Sequence, residues 1–146
     1  MPSREDADDA VAITFLEAWR KRDRVRFVDD SMLPWLLVTA TNASRNVSRS
    51  ARRHRALLAR LPAEPAARDH AERFEGSDAV DALRRLSIAD QRIITLCVLE
   101  GLSEREATQV LGIPSGTVKS RLSRAKTRLA QHVARPHQFT LIEENE

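Results

Sequence analysis

The segment 103–129 constrains the fold more than any other part of this sequence, because it combines two helix starts with one glycine turn. Ser103 and Glu106 have the spacing of a capping box, so a helix is predicted to begin there. Gly112 can adopt the positive φ that commonly ends a helix. Ser115, directly after a proline, is predicted to be the N-cap of a second helix. Two short helices joined by such a turn form a helix-turn-helix.

The second helix of this motif is divided between an apolar face and a polar, basic face. Stepping 100° per residue keeps Val118, Leu122 and Ala125 on the inward side. Small and hydroxylic side chains point outward, where they let a helix approach base edges closely in the major groove of DNA. Long cations beside them can reach guanine edges or phosphates. The outward residues and their cationic neighbours are Gly116, Lys119, Ser120, Ser123, Arg124 and Thr127.

Positive charge is concentrated in two separate parts of the chain, although the formal net charge of the 146 residues is only +3. No acidic residue lies between Asp30 and Glu64, and none lies between Glu106 and Glu143. Each interval by itself would be an ordinary solvated helix face. Two such basic blocks together indicate two contacts with a polyanion such as nucleic acid.

Composition and periodicity favour an all-α protein made of two small helical domains. Aromatic residues make up only 4% of the chain, so the cores must be aliphatic, and the alternation typical of strands is nearly absent. The first domain is predicted over residues 1–61 and the second over 78–134. Between them, residues 62–77 are rich in alanine, proline and acid and are interpreted as a flexible linker, while 135–146 form a tail.

Apolar stripes on the predicted helices give a candidate core for each domain. In the first domain, Val11, Phe15, Ala18 and Trp19 share one stripe, and Trp19 is predicted to be a core residue. The second domain is predicted to bury Val80, Leu83, Leu86, Ile93, Ile94, Cys97 and Val98.

Several classes of function are disfavoured by what the chain does not contain. Cys97 is its only cysteine, so no internal disulfide can form, which fits a reducing interior. There is no signal-peptide pattern and no membrane-length apolar run, so a cytoplasmic location is predicted. The four histidines have no metal-ligand spacing, and no phosphate-binding glycine loop or activated nucleophile is present. We therefore predict no cofactor, no metal and no enzymatic activity.

The two basic units together resemble a bacterial extracytoplasmic-function (ECF) sigma factor. Residues 86–129, with "GTVKSRL" followed by "RAK", are similar to region 4 of that family. The resemblance implies that region 4 docks on the β-flap of RNA polymerase and places its second helix in the major groove of the −35 element. The −35 residues that it implies are Ser115, Thr117, Lys119, Ser120, Arg121, Ser123, Arg124 and Lys126.

The first unit resembles region 2 of the same family through "DADDAVAITFLEAWR" and "PWLLVTATNASRNVSRSARRHR". Region 2 is expected to be short, because family members carry a further helix or two before the segment that here begins at Asp6. Without them the stripe of Val11, Phe15 and Trp19 would be exposed, so either a start codon lies upstream, or a partner covers the stripe, or this unit is weakly folded. The resemblance implies that region 2 binds the β′ clamp helices, melts the −10 element and holds a displaced base in the loop from about Arg26 to Met32. The −10 residues implied are Phe27, Thr41, Asn42, Arg45, Asn46 and Arg49. The polymerase-binding residues implied are Asp8, Asp9 and Glu17.

Other interpretations remain open at the level of sequence. A stand-alone helix-turn-helix regulator would use the second unit alone, with the first serving dimerisation or another protein. A degenerate sigma-like protein would bind polymerase without melting promoters. A recombinase or nuclease with an added helix-turn-helix would need a catalytic site that the sequence lacks. An anti-sigma factor is a further partner that the resemblance allows.

Overall fold

The structure is a computed structural model that describes residues 3–60 and 78–134. Within these ranges the chain forms six α-helices and no β-strand, which confirms the predicted all-α class. The predicted linker 62–77 and tail 135–146 lie outside the described residues. The helices are α1 (Arg4–Arg20), α2 (Leu33–Leu58), α3 (Asp78–Arg85), α4 (Ile88–Ile94), α5 (Glu104–Leu111) and α6 (Ser115–Val133).

The first helix begins at a capping box that the sequence encodes locally. The Ser3 hydroxyl accepts a bond from the Asp6 backbone at 3.1 Å, and the Asp6 carboxylate accepts one from the Ser3 backbone at 2.7 Å. Two backbone NH groups at the helix start thereby gain acceptors, and Glu5 and Asp6 of the first turn interact favourably with the positive end of the helix dipole.

A tight turn leads into α2. Val28 and Ser31 exchange two backbone hydrogen bonds of 3.0 Å each, and the two residues between them, Asp29 and Asp30, have φ of +47° and +59°. Aspartate tolerates this left-handed conformation better than most side chains do. Pro34 then lies in the first turn of α2, where its missing NH is not needed.

A wider turn ends α4 before the helix-turn-helix. Over Thr95–Leu99 the backbone is π-helical, and the Glu100 NH bonds the Thr95 carbonyl at 3.0 Å. Gly101 follows at φ +70°, and the Leu102 NH closes onto the Leu96 carbonyl at 2.9 Å. The extra residue in a π turn shifts the register of the faces that follow it.

The helix α1 lies along α2 through small residues. Its buried positions are Ala10, Thr14 and Ala18, which are spaced four residues apart. The stripe beside them is not covered by any described element, so Phe15 is 60% exposed and Trp19 is 69% exposed. The prediction that Trp19 belongs to the core is wrong, because the face of α1 that meets α2 is the small-residue face next to it.

The second unit has two apolar clusters, and α6 contributes to both. Val118 packs with Leu96, Ala107 and Val110, while Ala125 packs with Leu86 and Ile94. Two residues predicted to be buried are not. Val80 is 40% exposed because the two-turn α3 turns Ala82 inward, and Val98 is 46% exposed because it lies within the π turn, where the register of the faces shifts. Leu86, Ile93 and Ile94 are buried as predicted, and Leu83 and Cys97 are half-buried.

The two units pack against each other through residues that the sequence analysis did not place there. Val28, from the turn before α2, is 7% exposed and belongs to the cluster of Leu96 and Val118, with Val38 of α2 packed beside it. Nearby, Arg26 Nη1 donates a bond of 2.9 Å to the Gln109 carbonyl. Part of the core of the second unit is therefore supplied by the first.

Candidate nucleic-acid interface

The turn of the helix-turn-helix is built as the sequence predicts. The Glu106 NH bonds the Ser103 hydroxyl at 3.2 Å, and the Ser103 NH bonds the Glu106 carboxylate at 2.7 Å. The backbone hydrogen bond from Ser103 holds the pKa of the Glu106 carboxyl below its ordinary value. At the other end of α5, Gly112 has φ +67°. Both helix ends are thus fixed by local chemistry.

The start of α6 differs from the prediction by one residue. Pro114, not Ser115, is the N-cap, and its carbonyl accepts bonds of 3.0 Å from Thr117 and Val118. Pro114 occupies the extended conformation of a cap, with ψ 147°, so Ser115 already belongs to the helix. The N-cap therefore has no side-chain hydrogen bond, and the prediction of Ser115 as N-cap is wrong.

The outward face of α6 is exposed along its whole length. Val118 and Ala125 are fully buried, and they place the opposite side of the helix in solvent. We call this exposed face the α6 ridge; its residues are Ser115, Gly116, Lys119, Ser120, Ser123, Arg124, Lys126 and Thr127.

Two of the predicted −35 residues, Thr117 and Arg121, are half-buried at the flank of the α6 ridge. Hydroxyl groups on the ridge itself bond only to their own helix: Ser120 to the Thr117 carbonyl at 3.2 Å and Thr127 to the Ser123 carbonyl at 3.1 Å. Across residues 3–60 and 78–134, no carboxylate forms an ion pair with a cation of the predicted −35 set. The α6 ridge is thus a cationic, hydroxyl-bearing surface of the kind that suits phosphates and base edges.

The predicted −10 residues on α2 are divided between solvent and the second unit. Asn46 and Arg49 are exposed, whereas Thr41, Asn42 and Arg45 are half-buried. The Thr41 hydroxyl bonds the Leu37 carbonyl of its own helix at 2.8 Å. We call the side of α2 that carries these five residues the α2 polar face.

Arg92 of α4 contacts the α2 polar face, and the sequence analysis did not predict this contact. Its guanidinium donates to the amide oxygen of Asn42, and burial lowers the pKa of the guanidinium. Thr41 and Arg45 line an open groove of about 570 Å³ between the units, together with Gln91 and Thr95. Helical periodicity cannot reveal such a contact, because it depends on which helix lies opposite.

The remaining predicted residues lie outside α2 and α6. Phe27 is 58% exposed, next to the buried Val28. Asp8 and Asp9 are exposed on α1, and Glu17 is half-buried. Lys21 bonds Glu17 at 2.7 Å, and this hydrogen bond and charge lower the pKa of the Glu17 carboxyl.

Two kinds of site are not found in the part of the chain that the structure describes. No group of three or more histidine, cysteine, aspartate or glutamate side chains there could hold a metal ion. No described helix has both the length and the apolar character that crossing a bilayer requires.

Comparison with known proteins assigns a family to this pair of units. The sigma-70 region 2 model matches residues 1–54, and the sigma-70 region 4 model matches residues 78–129. The RNA polymerase sigma factor NccH of Alcaligenes xylosoxydans xylosoxydans is 31% identical over 85% of this chain and 71% of its own length. The ECF RNA polymerase sigma factor SigM of Mycobacterium tuberculosis is 34% identical over 87% of this chain and 64% of its own length. The chain belongs to the ECF sigma factors. It is therefore a transcription initiation factor that directs RNA polymerase to promoters.

Solved structures of sigma factors have the same fold. The sigma factor RpoE from Bartonella quintana, in complex with the anti-sigma factor NepR, gives a TM-score of 0.53 at 28% identity, covering 91% of this chain and 84% of RpoE. CnrH, in complex with the cytosolic domain of CnrY, gives a TM-score of 0.52 at 29% identity, covering 88% of this chain and 71% of CnrH.

Proposed function

We propose that this sigma factor reads the −35 element through the α6 ridge. The observation that carries the proposal is one exposed helix face, directly after a helix-turn-helix turn, that combines hydroxyl groups with cations. Within residues 3–60 and 78–134 these cations have no carboxylate partner. Small residues at the centre allow close approach to base edges, and Lys119 and Arg124 reach bases or phosphates on either side.

The second part of the proposal concerns the −10 element. The α2 polar face would hold separated DNA strands, with Arg45 and Arg49 along the backbone and Phe27 available to stack on an unpaired base. Exposure of Phe27, Asn46 and Arg49 supports this assignment. The family match over both regions favours it over a stand-alone regulator that would use the second unit alone.

The remaining assignments concern architecture and partners. We assign residues 1–61 to region 2, 62–77 to a linker, 78–134 to region 4 and 135–146 to a tail. In this proposal Asp8, Asp9 and Glu17 contact the β′ clamp helices, and region 4 contacts the β-flap. In this proposal the polymerase carries out catalysis, so this chain needs no cofactor. The chain is proposed to act in the cytoplasm. Since the structural relative RpoE is bound to the anti-sigma factor NepR, an anti-sigma factor is proposed as a further partner.

The proposal is tested by run-off transcription with core RNA polymerase on a genomic promoter library. Lys119→Ala and Arg124→Ala should each reduce promoter-specific transcription by about 10- to 100-fold, since a good base contact contributes roughly 1–3 kcal/mol. Both variants should still bind core enzyme. Arg24→Ala, which removes an exposed cation from the segment between α1 and α2 rather than from α6, is the matched control and should transcribe normally.

Three results would contradict the assigned roles. Loss of core binding in Lys119→Ala or Arg124→Ala would show that the α6 ridge serves the polymerase rather than the promoter. Tight duplex binding with no affinity for core enzyme would instead favour a stand-alone regulator. Polymerase binding without promoter opening would identify a degenerate sigma factor.

A further inference from the structure

One ion pair in the second unit joins two helices. Arg128 Nη1 of α6 lies 2.5 Å from Asp90 Oδ2 of α4. The other ion pairs found in residues 3–60 and 78–134 connect side chains three or four positions apart in sequence. Arg128 lies in the acid-free interval between Glu106 and Glu143, yet the structure pairs it with a protein carboxylate.

The carboxylate of this pair is buried and its backbone is fixed. The Asp90 side chain is only 4% exposed, whereas that of Arg128 is 50% exposed. Asp90 lies in the first turn of α4, where its NH bonds the hydroxyl of the N-cap Ser87 at 3.2 Å. A buried carboxylate is strongly unfavourable without a cationic or hydrogen-bonding partner, so Asp90 requires Arg128 to stay in place.

The position of Arg128 on α6 allows the ion pair to fix the rotation of this helix about its own axis. In the half of α6 that carries Arg128, the apolar contact with neighbouring helices is made by Ala125 with Leu86 and Ile94, and Leu122 and Leu129 pack against it. Dispersion contacts of this kind are non-directional. At 100° per residue, Arg128 lies about 80° around the helix from Val118, at the border between the buried face and the α6 ridge. A hydrogen-bonded ion pair at this border resists rotation of α6 about its own axis.

We propose that Asp90 and Arg128 position the recognition helix, by fixing the angle at which the α6 ridge meets the −35 duplex. Arg128 is then a positioning residue and makes no phosphate contact. This inference rests on the proposed function of α6. It assigns different roles to two arginines one turn apart, since Arg124 belongs to the ridge.

The experiment measures holoenzyme binding to a promoter duplex and to the same duplex with a scrambled −35 element, across a series of salt concentrations. Each lost phosphate contact reduces the slope of log affinity against log salt by about 0.9. Arg124→Gln, the matched control, should reduce the slope by about that amount. Arg128→Gln should keep the wild-type slope but lower the ratio of promoter to scrambled binding about tenfold, the factor that corresponds to 1.4 kcal/mol.

The pair is tested by three companion variants. Asp90→Asn should lower the binding ratio as Arg128→Gln does, and the double variant should lose no more than either single variant, because the two side chains act together. Arg128→Lys keeps a cation beside Asp90 and should restore part of the ratio. Should Asp90→Asn unfold, as judged by circular dichroism, the Arg128 variants alone decide the question.

Three results would overturn the proposal. These are a reduced salt slope in Arg128→Gln, an unchanged binding ratio in that variant, or additive losses in the double variant. Failure of the wild-type holoenzyme to distinguish the scrambled duplex would instead refute the proposed function of α6, so the two failures are separable.

Discussion

The two basic surfaces of this sigma factor differ in how far their polar groups are already engaged within the protein. On the α6 ridge, Ser120 and Thr127 bond only to carbonyls of their own helix, and the cations are exposed without carboxylate partners in the described residues. On the α2 polar face, Asn42 accepts a bond from Arg92 of the other unit, and Arg45 lies in the groove between the units.

This difference has a direct energetic consequence for DNA binding. A duplex that meets the α6 ridge displaces water and counterions. A base that meets Asn42 must also displace a guanidinium, and a hydrogen bond to a charged group contributes about 1.5–3 kcal/mol. The α6 ridge can therefore bind DNA without breaking a contact within the protein. The α2 polar face must first exchange the hydrogen bond between Asn42 and Arg92 for a contact with DNA.

The largest expected effect is on DNA binding, and it distinguishes the two surfaces by the step that each variant impairs, closed-complex binding or promoter opening. Arg124→Ala should weaken closed-complex affinity by about 10- to 100-fold. Arg45→Ala and Arg49→Ala should reduce promoter opening more than closed-complex binding, because single strands exist only after opening. Permanganate reactivity of unpaired thymines and duplex anisotropy distinguish the two steps. A change confined to closed-complex affinity in the α2 variants would mean that this face does not hold melted DNA.

The next effect concerns the turn at which the two units touch. Gly112→Ala should lower the free energy of unfolding by about 1–3 kcal/mol, because a left-handed backbone strains an L side chain. The new Cβ would also lie 2.8 Å from Arg26 Nη1. Gly116→Ala is the matched control: apart from its chain neighbours and the backbone of its own helix, no atom lies within 4 Å of the new Cβ, so helix propensity should stabilise the protein by about 0.5–1 kcal/mol. Urea denaturation measures both, and equal effects would contradict the geometry of the turn.

A smaller effect tests the engagement of the α2 polar face itself. Asn42→Ala should reduce the free energy of unfolding by about 1–2 kcal/mol, because it leaves the half-buried Arg92 without its acceptor. Asn46→Ala, one turn further along on the exposed side, should change stability by less than about 0.5 kcal/mol. If the two variants were equally stable in urea, the polar groups of the α2 polar face would be as little engaged within the protein as those of the α6 ridge.

The smallest expected effect is a pH dependence at the start of the helix-turn-helix. The pKa of Glu106 is lowered in the folded protein by the backbone hydrogen bond from Ser103. Its contribution to stability is therefore complete above the ordinary carboxyl pKa and is lost as pH falls through the lowered value. Melting temperatures between pH 7 and pH 3 should fall slightly more for the wild type than for Glu106→Gln. Ser103→Ala, which removes the hydroxyl of the capping box, should weaken the dependence of the melting temperature on pH. Parallel curves of melting temperature against pH for the wild type and the variants would refute this prediction.

The sequence by itself determined the local structure of this protein. The Ser103–Glu106 capping box, the left-handed Gly112 and the inward positions Val118 and Ala125 all follow from rules that act within one or two helical turns. These rules also oriented the α6 ridge, because fixing the buried side of a helix fixes its opposite side. They misplaced the N-cap by one residue, since Pro114 caps α6 through its carbonyl and extended backbone.

Only the tertiary structure decided which faces have neighbours. Periodicity places Val11, Phe15 and Trp19 on one stripe, but no described helix packs there, so the tryptophan is exposed. Conversely, Val28 comes from a loop with no periodic signal and is buried in the core of the other unit. The Asn42–Arg92 and Asp90–Arg128 contacts join residues 50 and 38 positions apart. Such contacts depend on how whole helices stack, which is set by the total packing of the chain and not by any local pattern.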